Sequence, residues 1–344
     1  MRRLCRTLAA VTLAFTIVSP LQVWGWGNSG HESVAYIAWK KMTPATRTRV
    51  MVLLKLVPTL TTPTGKTVPG YDQWVKDLPA GLSASNKNLY LFMRAATWAD
   101  SIKHVGFTDS DTPPAGVADD VNTGFTDTKS HGYWHFIDTG FASDTSTVPT
   151  TPSPNAVTQI AAFRTAIAST EDDTLKAYDL IFLEHLVGDV HQPLHATDRY
   201  FAGKDDIGGN EIKIRIPAAM KKTFEGTVGK GYPENLHAFW DDLPGEGDPA
   251  AALPQAAQFA KLLAAASASG VSDTDPADWA AESFAKAKSD SYASPIGASP
   301  APATGTSKSY LMTTAYYNKA LTDAKARIAL AGARLAKLIE DNLK

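Results

Sequence analysis

Apolar residues recur every three or four positions in four stretches of this chain, as expected for the buried faces of amphipathic helices. The first stretch runs from Val34 to Met42, and Thr43-Pro44 marks its end and the start of the second. The third predicts a long helix from about Glu171 to Val190, and the fourth predicts a C-terminal helix. The later apolar positions are Val50, Leu53, Leu54 and Val57; Tyr178, Ile181, Phe182, Leu186 and Val187; and Leu321, Ala324, Ile328, Ala331, Leu335 and Leu338. The fold class is therefore mainly α, as a single domain of packed helices.

Strand patterns are sparse. The segment Glu211–Ile216 alternates with a period of two and follows the turn Gly208-Gly209-Asn210. We expect it to pair with Thr223–Val228 as one small β-hairpin. Segments at roughly 58–70, 106–128 and 142–156, which are rich in Pro, Thr and Gly, are interpreted as surface loops, and no role is assigned to the loops 106–128, 142–156 and 217–234.

The first 25 residues have the pattern of a secretory signal peptide. Three arginines precede an apolar run from Leu8 to Val18, and the segment ends in Val23-Trp24-Gly25. The apolar run is shorter than the roughly 18 residues that a membrane span requires. We therefore predict a signal peptide over 1–25 and one domain over 26–344, secreted or periplasmic after cleavage before Trp26.

Charge and cysteine content restrict the chemistry of the exported chain. Residues 26–344 contain 30 basic and 35 acidic side chains, a net charge of −5, which argues against a broad basic face for nucleic acid. The only cysteine, Cys5, lies in the predicted signal peptide. Any metal site in the domain must therefore use nitrogen and oxygen ligands.

Histidines and acidic residues occur together in several short phrases. His185 and Asp189 are four residues apart, and so are His237 and Asp241, which places each pair on one face of a helix. One such pair is more often a surface ion pair, but two pairs together with His195 favour a metal site. The phrases are Trp26-Gly-Asn-Ser-Gly-His31, Thr97-Trp-Ala-Asp100, Trp134-His135-Phe-Ile-Asp138, His185 to His195, and Asn235-Leu-His237-Ala-Phe-Trp-Asp241.

The donor types favour zinc. Imidazole and carboxylate without thiolate are typical of catalytic Zn²⁺, whereas Mg²⁺ and Ca²⁺ prefer more oxygen ligands. The cluster has too many donors for one ion, so two or three ions are implied. Sites with several metal ions stabilise the attacking and leaving oxygens in phosphoester cleavage.

In these phrases the sequence resembles the zinc-dependent single-strand nucleases of the S1/P1 type, with zinc-dependent phospholipase C as a more distant relative. The resemblance implies a phospholipase C/nuclease-like fold with three Zn²⁺. Matched position by position, it implies that one zinc is bound by Asp100, His135, His185 and Asp189, a second by Trp26, His31 and Asp189, and a third by His195, His237 and Asp241. In that family the mature chain begins with a Trp whose α-amino group is a ligand, as cleavage before Trp26 would produce.

The resemblance also implies roles for four residues near the metals. Asp100 would orient or deprotonate the attacking water, and Lys103 would stabilise charge on the phosphate. Phe136 would stack on a nucleobase, and Asp138 would accept hydrogen bonds from its edge. Without the family motif, Lys103 would be a solvated side chain, Phe136 a core aromatic and Asp138 a turn residue.

The expected protein is an exported endonuclease that hydrolyses single-stranded DNA and RNA to 5′-phosphorylated products, with 3′-nucleotidase activity. We expect a monomer with no stable protein partner and no membrane anchor. The absence of disulfides and of Asn-x-Ser/Thr sequons from residues 26–344 is typical of a bacterial branch of the family. A phospholipase C that acts on phospholipid head groups and a non-enzymatic periplasmic zinc-binding protein remain as alternatives.

The other histidines, His104, His131 and His191, match no ligand position and are interpreted as structural or exposed. Trp98 and Trp240 are interpreted as packing residues that support the site. The glycines of Gly208-Gly209-Asn210 are explained by turn formation.

Overall fold

The computed structural model describes residues 26–62, 64–103, 105–108, 112, 124–218, 220–221, 232–244, 270–297 and 309–343. The predicted signal peptide, His104 and Thr223–Val228 lie outside these residues.

Helices dominate this part of the chain, which confirms the predicted fold class. None of them combines the length and the apolar composition needed to cross a membrane. The described helices are α1 (Asn28–Lys41), α2 (Pro44–Leu54), α3 (Tyr71–Lys76), α4 (Ala84–Ala95), α5 (Trp98–Ser101), α6 (Ala156–Ala168), α7 (Asp173–Asp189), α8 (Leu236–Asp242), α9 (Pro276–Lys286) and α10 (Thr314–Asn342).

Side-chain caps explain where several helices begin. Thr43 accepts a hydrogen bond from the backbone of Thr46 at the start of α2, with Pro44 as the first helical residue. Asp172 caps α7 through the backbone N–H of Thr174, which is why this helix begins two residues after the predicted Glu171. Asn155 forms a capping box at the start of α6.

The strands are short and form three small sheets in the described residues, where the sequence predicted one hairpin. Within 211–216, only Ile214 and Arg215 form a strand, and they pair in parallel with Tyr310 and Leu311. The expected partner, Thr223–Val228, lies outside the described residues. The strands are β1 (Leu60–Thr61), β2 (Thr67–Val68), β3 (Gly140–Ala142), β4 (Asp198–Phe201), β5 (Lys204–Asp205), β6 (Ile214–Arg215) and β7 (Tyr310–Leu311), in the orders β1-β2, β3-β4-β5 and β6-β7.

Helix α7 lies at the centre of the core. Every residue from Lys176 to Asp189 is buried, and α1, α2, α6 and α10 all pack against it. Helices α1 and α10 approach closely at Gly332, where a Cβ atom would lie 2.6 Å from Ile37. The C-terminal end of α7 is therefore held inside the molecule.

Candidate metal centre

Eight predicted ligand side chains lie together in three buried groups around the end of α7. Within each group, one ligand atom per residue lies within 4.8 Å of the others. His185 belongs to two of the groups, which therefore adjoin. The groups are His31, His185 and Asp189; Asp100, His135 and His185; and His195, His237 and Asp241.

Separate elements deliver these side chains to the cluster. The first turn of α1 positions His31, and α5 positions Asp100. His135 follows the 3₁₀ turn Gly132–Trp134, and His195 lies in the turn Pro193–Ala196. Helix α7 contributes His185 and Asp189, and α8 contributes His237 and Asp241.

The two oxygens of Asp189 face different histidines. Its Oδ1 lies 3.3 Å from His31 Nε2. Its Oδ2 lies 2.9 Å from His135 Nδ1 and 3.2 Å from His185 Nε2. A carboxylate placed in this way can bind two cations, one on each oxygen.

Asp100, a member of the second group, is paired with a cationic side chain. Its Oδ1 is 3.0 Å from Lys103 Nζ and 3.5 Å from His185 Nε2. Burial alone would raise the pKa of Asp100, but Lys103 and His185 hold it well below its usual range. The carboxyl group is therefore ionised at neutral pH and can accept a proton.

Gln192 is part of the third group, although the sequence analysis did not select it. Its side-chain amide donates a 2.7 Å hydrogen bond to Asp241 Oδ1. The other oxygen, Oδ2, lies 3.6 Å from His237 Nε2. Gln192 therefore fixes the carboxylate so that Oδ2 faces the histidine. In the sequence, the one indication of this role is that Gln192 lies between the predicted ligands Asp189 and His195.

Backbone carbonyls set the orientation of three histidine rings. Because a carbonyl only accepts, the Nδ1–H groups of His185, His195 and His237 are the donors, at 2.8, 2.7 and 2.8 Å. The acceptors are Ala96, His135 and Gly208, respectively. Each ring therefore directs Nε2, the nitrogen that does not bond the backbone, toward an aspartate of the cluster, where it can bind a metal when it carries no proton.

Gly208 can occupy its place only because it has no side chain. Its φ is +55°, and a Cβ atom would lie 2.7 Å from the carbonyl oxygen of Leu194. The turn interpretation of this glycine is therefore incomplete, since the residue also provides the acceptor for His237.

The electrostatics of the cluster fit cations. Burial lowers the pKa of His185, but Asp189 and Asp100 oppose it and raise the value to about 10, because the two carboxylates stabilise positive charge there. Burial raises the pKa of Asp241 well above its usual range, and the Gln192 amide opposes this rise only in part. In addition, His31 Nδ1 and His135 Nε2 are buried with no hydrogen-bond partner among the described residues. Zn²⁺ suits this set of imidazoles and carboxylates.

Trp26, the remaining residue of the predicted ligand set, is completely buried, and its indole lies near Gly188 of α7 beside the His31 ring. A Cβ atom on Gly30 would lie 2.5 Å from Trp26 Cβ, so the indole packs directly on α1. The next residue, Gly27, donates its N–H to the carbonyl of Asp241 at 3.0 Å. This contact connects the start of the described chain to the third group.

Phe136 and Asp138 follow His135 in the chain and are half-buried. Both line a small pocket that Tyr133 and Asn155 also border. The pocket lies next to the metal ligands because His135 and Phe136 are consecutive residues.

The histidines outside the ligand set are buried, rather than exposed, where they are described. His131 stacks on Trp134, with 3.6 Å between the ring centroids. His191 donates from Nδ1 to the carbonyl of Val187 and accepts from Arg334 at Nε2, at 2.8 and 3.0 Å. His131 and His191 thus contact other parts of the fold and belong to none of the three ligand groups. Trp98 and Trp240 are also buried, as packing residues would be.

Comparison with known proteins gives a consistent result. The family model described as S1/P1 Nuclease matches residues 26–344. Nuclease S1 of Aspergillus oryzae is 24% identical over 257 residues, which cover 74% of this chain and 66% of that protein. Nuclease P1 of Penicillium citrinum is 32% identical over 118 residues, or 34% of each chain. Endonuclease 4 of Arabidopsis thaliana is 39% identical over 80 residues, covering 22% of this chain and 21% of that protein. The matches thus span less than two thirds of each relative.

Proposed function

This chain belongs to the S1/P1 nuclease family, and from that premise we propose that it is a three-zinc phosphodiesterase. Its substrates are single-stranded DNA and RNA, its products end in a 5′-phosphate, and it also acts as a 3′-nucleotidase. The observation that best supports this proposal is the set of three adjoining His/Asp groups buried around Asp189.

The residues divide among three ions. Asp100, His135, His185 and Asp189 would bind the first zinc, Trp26, His31 and Asp189 the second, and His195, His237 and Asp241 the third. Bound zinc supplies Lewis-acid stabilisation of the charge on the attacking and leaving oxygens of a phosphodiester.

Asp100 and Lys103 perform the proton and charge chemistry. The ionised Asp100 carboxylate accepts a proton from the attacking water and holds that water in line with the phosphorus atom. Lys103 Nζ, 3.0 Å from Asp100, keeps the carboxylate ionised and balances the negative charge that develops on the phosphate.

Phe136 and Asp138 select the substrate. A base that leaves its stack can place its face on the half-buried Phe136 ring and donate hydrogen bonds to Asp138. A duplex must first unpair and unstack a base to do this, so single strands are preferred.

Replacing Phe136 with alanine is expected to raise the KM for a dinucleotide by about tenfold, because base–aromatic stacking contributes roughly 1–3 kcal/mol. The kcat should change little, and a phosphodiester without a base in that position should be cleaved as by the wild type. Phe125→Leu, which changes a ring that packs on Trp98 outside this pocket, is the control. An unchanged dinucleotide KM in Phe136→Ala would remove the ring from substrate binding.

Replacing Gln192 with leucine is expected to weaken zinc binding at the third group by about 10- to 100-fold, the usual effect of losing a hydrogen bond to a ligand. Competition with a chromogenic chelator measures this affinity. Gln73→Leu removes a similar amide–carboxylate contact, to the exposed Asp77, and should leave the affinity unchanged. Equal affinities in both variants would contradict the assigned role of Gln192.

A substrate panel tests the proposed function. Purified protein lacking residues 1–25 is assayed on single-stranded DNA, RNA, 3′-AMP and a phosphatidylcholine analogue, first with zinc, then after chelation, and again after zinc is returned. We expect zinc-restored cleavage of both nucleic acids and of 3′-AMP. Cleavage of the lipid analogue alone would indicate a phospholipase, and no turnover with about three bound zincs would indicate a zinc-binding protein without catalytic function.

We also propose that residues 1–25 are removed on export, that residues 26–344 form one domain, and that the product is a secreted or periplasmic monomer without a membrane anchor. Cleavage before Trp26 would free its α-amino group beside His31, where the family places a zinc ligand. Sequencing the N-terminus of the exported protein tests this: a chain that begins at any other residue contradicts it.

A further inference from the structure

Basic residues are concentrated in one segment of an otherwise acidic domain. Residues 33–71 contain six basic side chains and no acidic one, whereas the remainder of 26–344 contains 24 basic and 35 acidic side chains. Residues 33–71 are therefore locally positive, although the net charge of residues 26–344 is −5. The six are Lys40, Lys41, Arg47, Arg49, Lys55 and Lys66.

The same segment borders a groove away from the metal ligands. The groove lies between the end of α1, helix α2 and the start of α4, and its volume is about 420 Å³. Val52, on its wall, is 44% exposed, so the groove offers apolar as well as polar surface. Its lining includes Trp39, Arg47, Thr48, Met51, Lys55 and Asn88.

Arg47 is held rigidly at this groove. Its Nε donates to the carbonyl of Trp39 at 2.7 Å, and one of its terminal nitrogens donates to the carbonyl of Lys40 at 3.0 Å. The guanidinium also lies over the Trp39 ring, 5.6 Å from its centroid. Arg47 thus provides a fixed positive charge in the groove, with the exposed side chains of Lys40, Lys41 and Lys55 near it.

Acidic side chains from two other helices, α7 and α10, contact this segment. Asp173 pairs with Arg49 through both carboxylate oxygens, at 2.6 and 2.7 Å. Glu340 accepts a hydrogen bond from the backbone of Thr43. Arg47 and Lys55 line the groove, and the exposed Lys40 and Lys41 follow its lining residue Trp39 in the chain. We call these four cations together with the groove lining the basic groove.

Helices α1 and α4 connect the basic groove to the metal centre. Trp39 is eight residues after His31 on α1, a rise of about 12 Å. On the same helix, Lys40 Nζ lies over the half-buried Tyr36 ring, 5.3 Å from the ring centroid. Arg94, near the end of α4, lies 3.6 Å from Glu32. Along the axis of α1, the groove is therefore separated from the ligand His31 by a length that a few nucleotides can span.

We propose that the basic groove binds the phosphodiester backbone of a long single-stranded substrate, several nucleotides from the bond that is cleaved. This inference rests on the proposed function, because its ligand is the polymeric substrate. Positive charge, hydroxyl and amide donors and apolar walls are the chemistry that a single strand requires. Short substrates would not reach the groove, so it would favour polymers over dinucleotides.

The test compares two triple variants with the same charge change. Lys40→Ala/Lys41→Ala/Lys55→Ala removes exposed lysines of the basic groove, and Lys76→Ala/Lys204→Ala/Lys213→Ala removes exposed lysines elsewhere. KM is measured for a 30-nucleotide DNA strand and for a dinucleotide. Binding of the same strand is measured by fluorescence anisotropy on an Asp100→Asn background, at several salt concentrations.

For the groove variant we expect the KM and the Kd of the 30-mer to rise about tenfold, and the salt slope of binding to fall by about 2, since each lost phosphate contact lowers it by about 0.7. The dinucleotide KM should not change, and the control variant should resemble the wild type. Equal effects of both triple variants, or binding of anionic phosphatidylglycerol vesicles in place of the strand, would overturn the proposal. Failure of all proteins to cleave the dinucleotide would instead overturn the proposed function, while the anisotropy comparison would still test the groove.

Discussion

Replacing Asp100 with asparagine is expected to lower kcat on single-stranded DNA by about a thousandfold, within the range of roughly 10² to 10⁴ that a positioned general base contributes. Asn retains a side-chain oxygen at the same place, so most of the bound zinc should remain. What is lost is the carboxylate that accepts a proton from water. Lys103, 3.0 Å away, also loses the negative charge that balances its ammonium group.

Two measurements separate the possible causes in Asp100→Asn. Zinc content, determined by elemental analysis, shows whether the variant still binds metal, and single-turnover rates report the chemical step. Asp77→Asn changes an exposed aspartate at the end of α3 and serves as the control. Full activity in Asp100→Asn would exclude the residue from the mechanism, and parallel loss of zinc and activity would assign it a ligand role only.

The spacing of two His/Asp pairs predicted that each pair would lie on one face of a helix, whereas His31, Asp100 and His135 were selected only through the family resemblance. His185 and Asp189 are one helical turn apart, and the observed α7 ends at Asp189, close to the predicted Val190. The structure brings their side chains to 3.2 Å. An i,i+4 pair on a buried helix must share a face, so no tertiary information was required.

The orientation of the ligands could not be predicted in the same way. The acceptors for His185 and His195 are carbonyls of Ala96 and His135, which are 89 and 60 residues away in sequence. Backbone carbonyls have no residue signature, and only tertiary packing places one beside a given ring. His191 is similar, because its partner Arg334 lies 143 residues further along the chain.

Strand pairing was predicted least well, for a related reason. Alternation from Glu211 to Ile216 indicated a strand, but only Ile214 and Arg215 form one, with partners that begin at Tyr310, and Lys213 makes an isolated bridge to Asn235. A two-residue strand is too short to show a period, and a parallel pair has no adjoining turn to mark it. The concentration of basic residues in 33–71 can be read from the sequence, but only the structure shows that a groove lies beside them.

Removing zinc is expected to lower the melting temperature by about 10 °C or more. A ligand present at a thousandfold excess over its Kd stabilises the folded state by about 4 kcal/mol. For a domain of 150–250 residues, 1 kcal/mol corresponds to about 2–4 °C, and the domain of this chain is somewhat larger. Three sites that bind independently would contribute more than one.

The structure explains why the effect should be large. The proposed ligands come from α1, α5, α7 and α8 and from two 3₁₀ turns, so each ion would connect segments that are distant in sequence. Burial lowers the pKa of His185, but Asp189 and Asp100 raise it to about 10, so these two buried carboxylates favour positive charge beside them, and losing the ions would leave them less well compensated.

Calorimetry before chelation, after EDTA and after zinc return measures the expected loss and its reversal. A His237→Ala variant, which lacks one ligand of the third group, should show a smaller drop with EDTA because it has less bound metal to lose. His131→Phe changes a buried histidine outside the ligand set, and its EDTA response should match that of the wild type. A melting temperature that stays constant while elemental analysis confirms metal removal would mean that packing of the α7 core, and not the ions, holds these segments together.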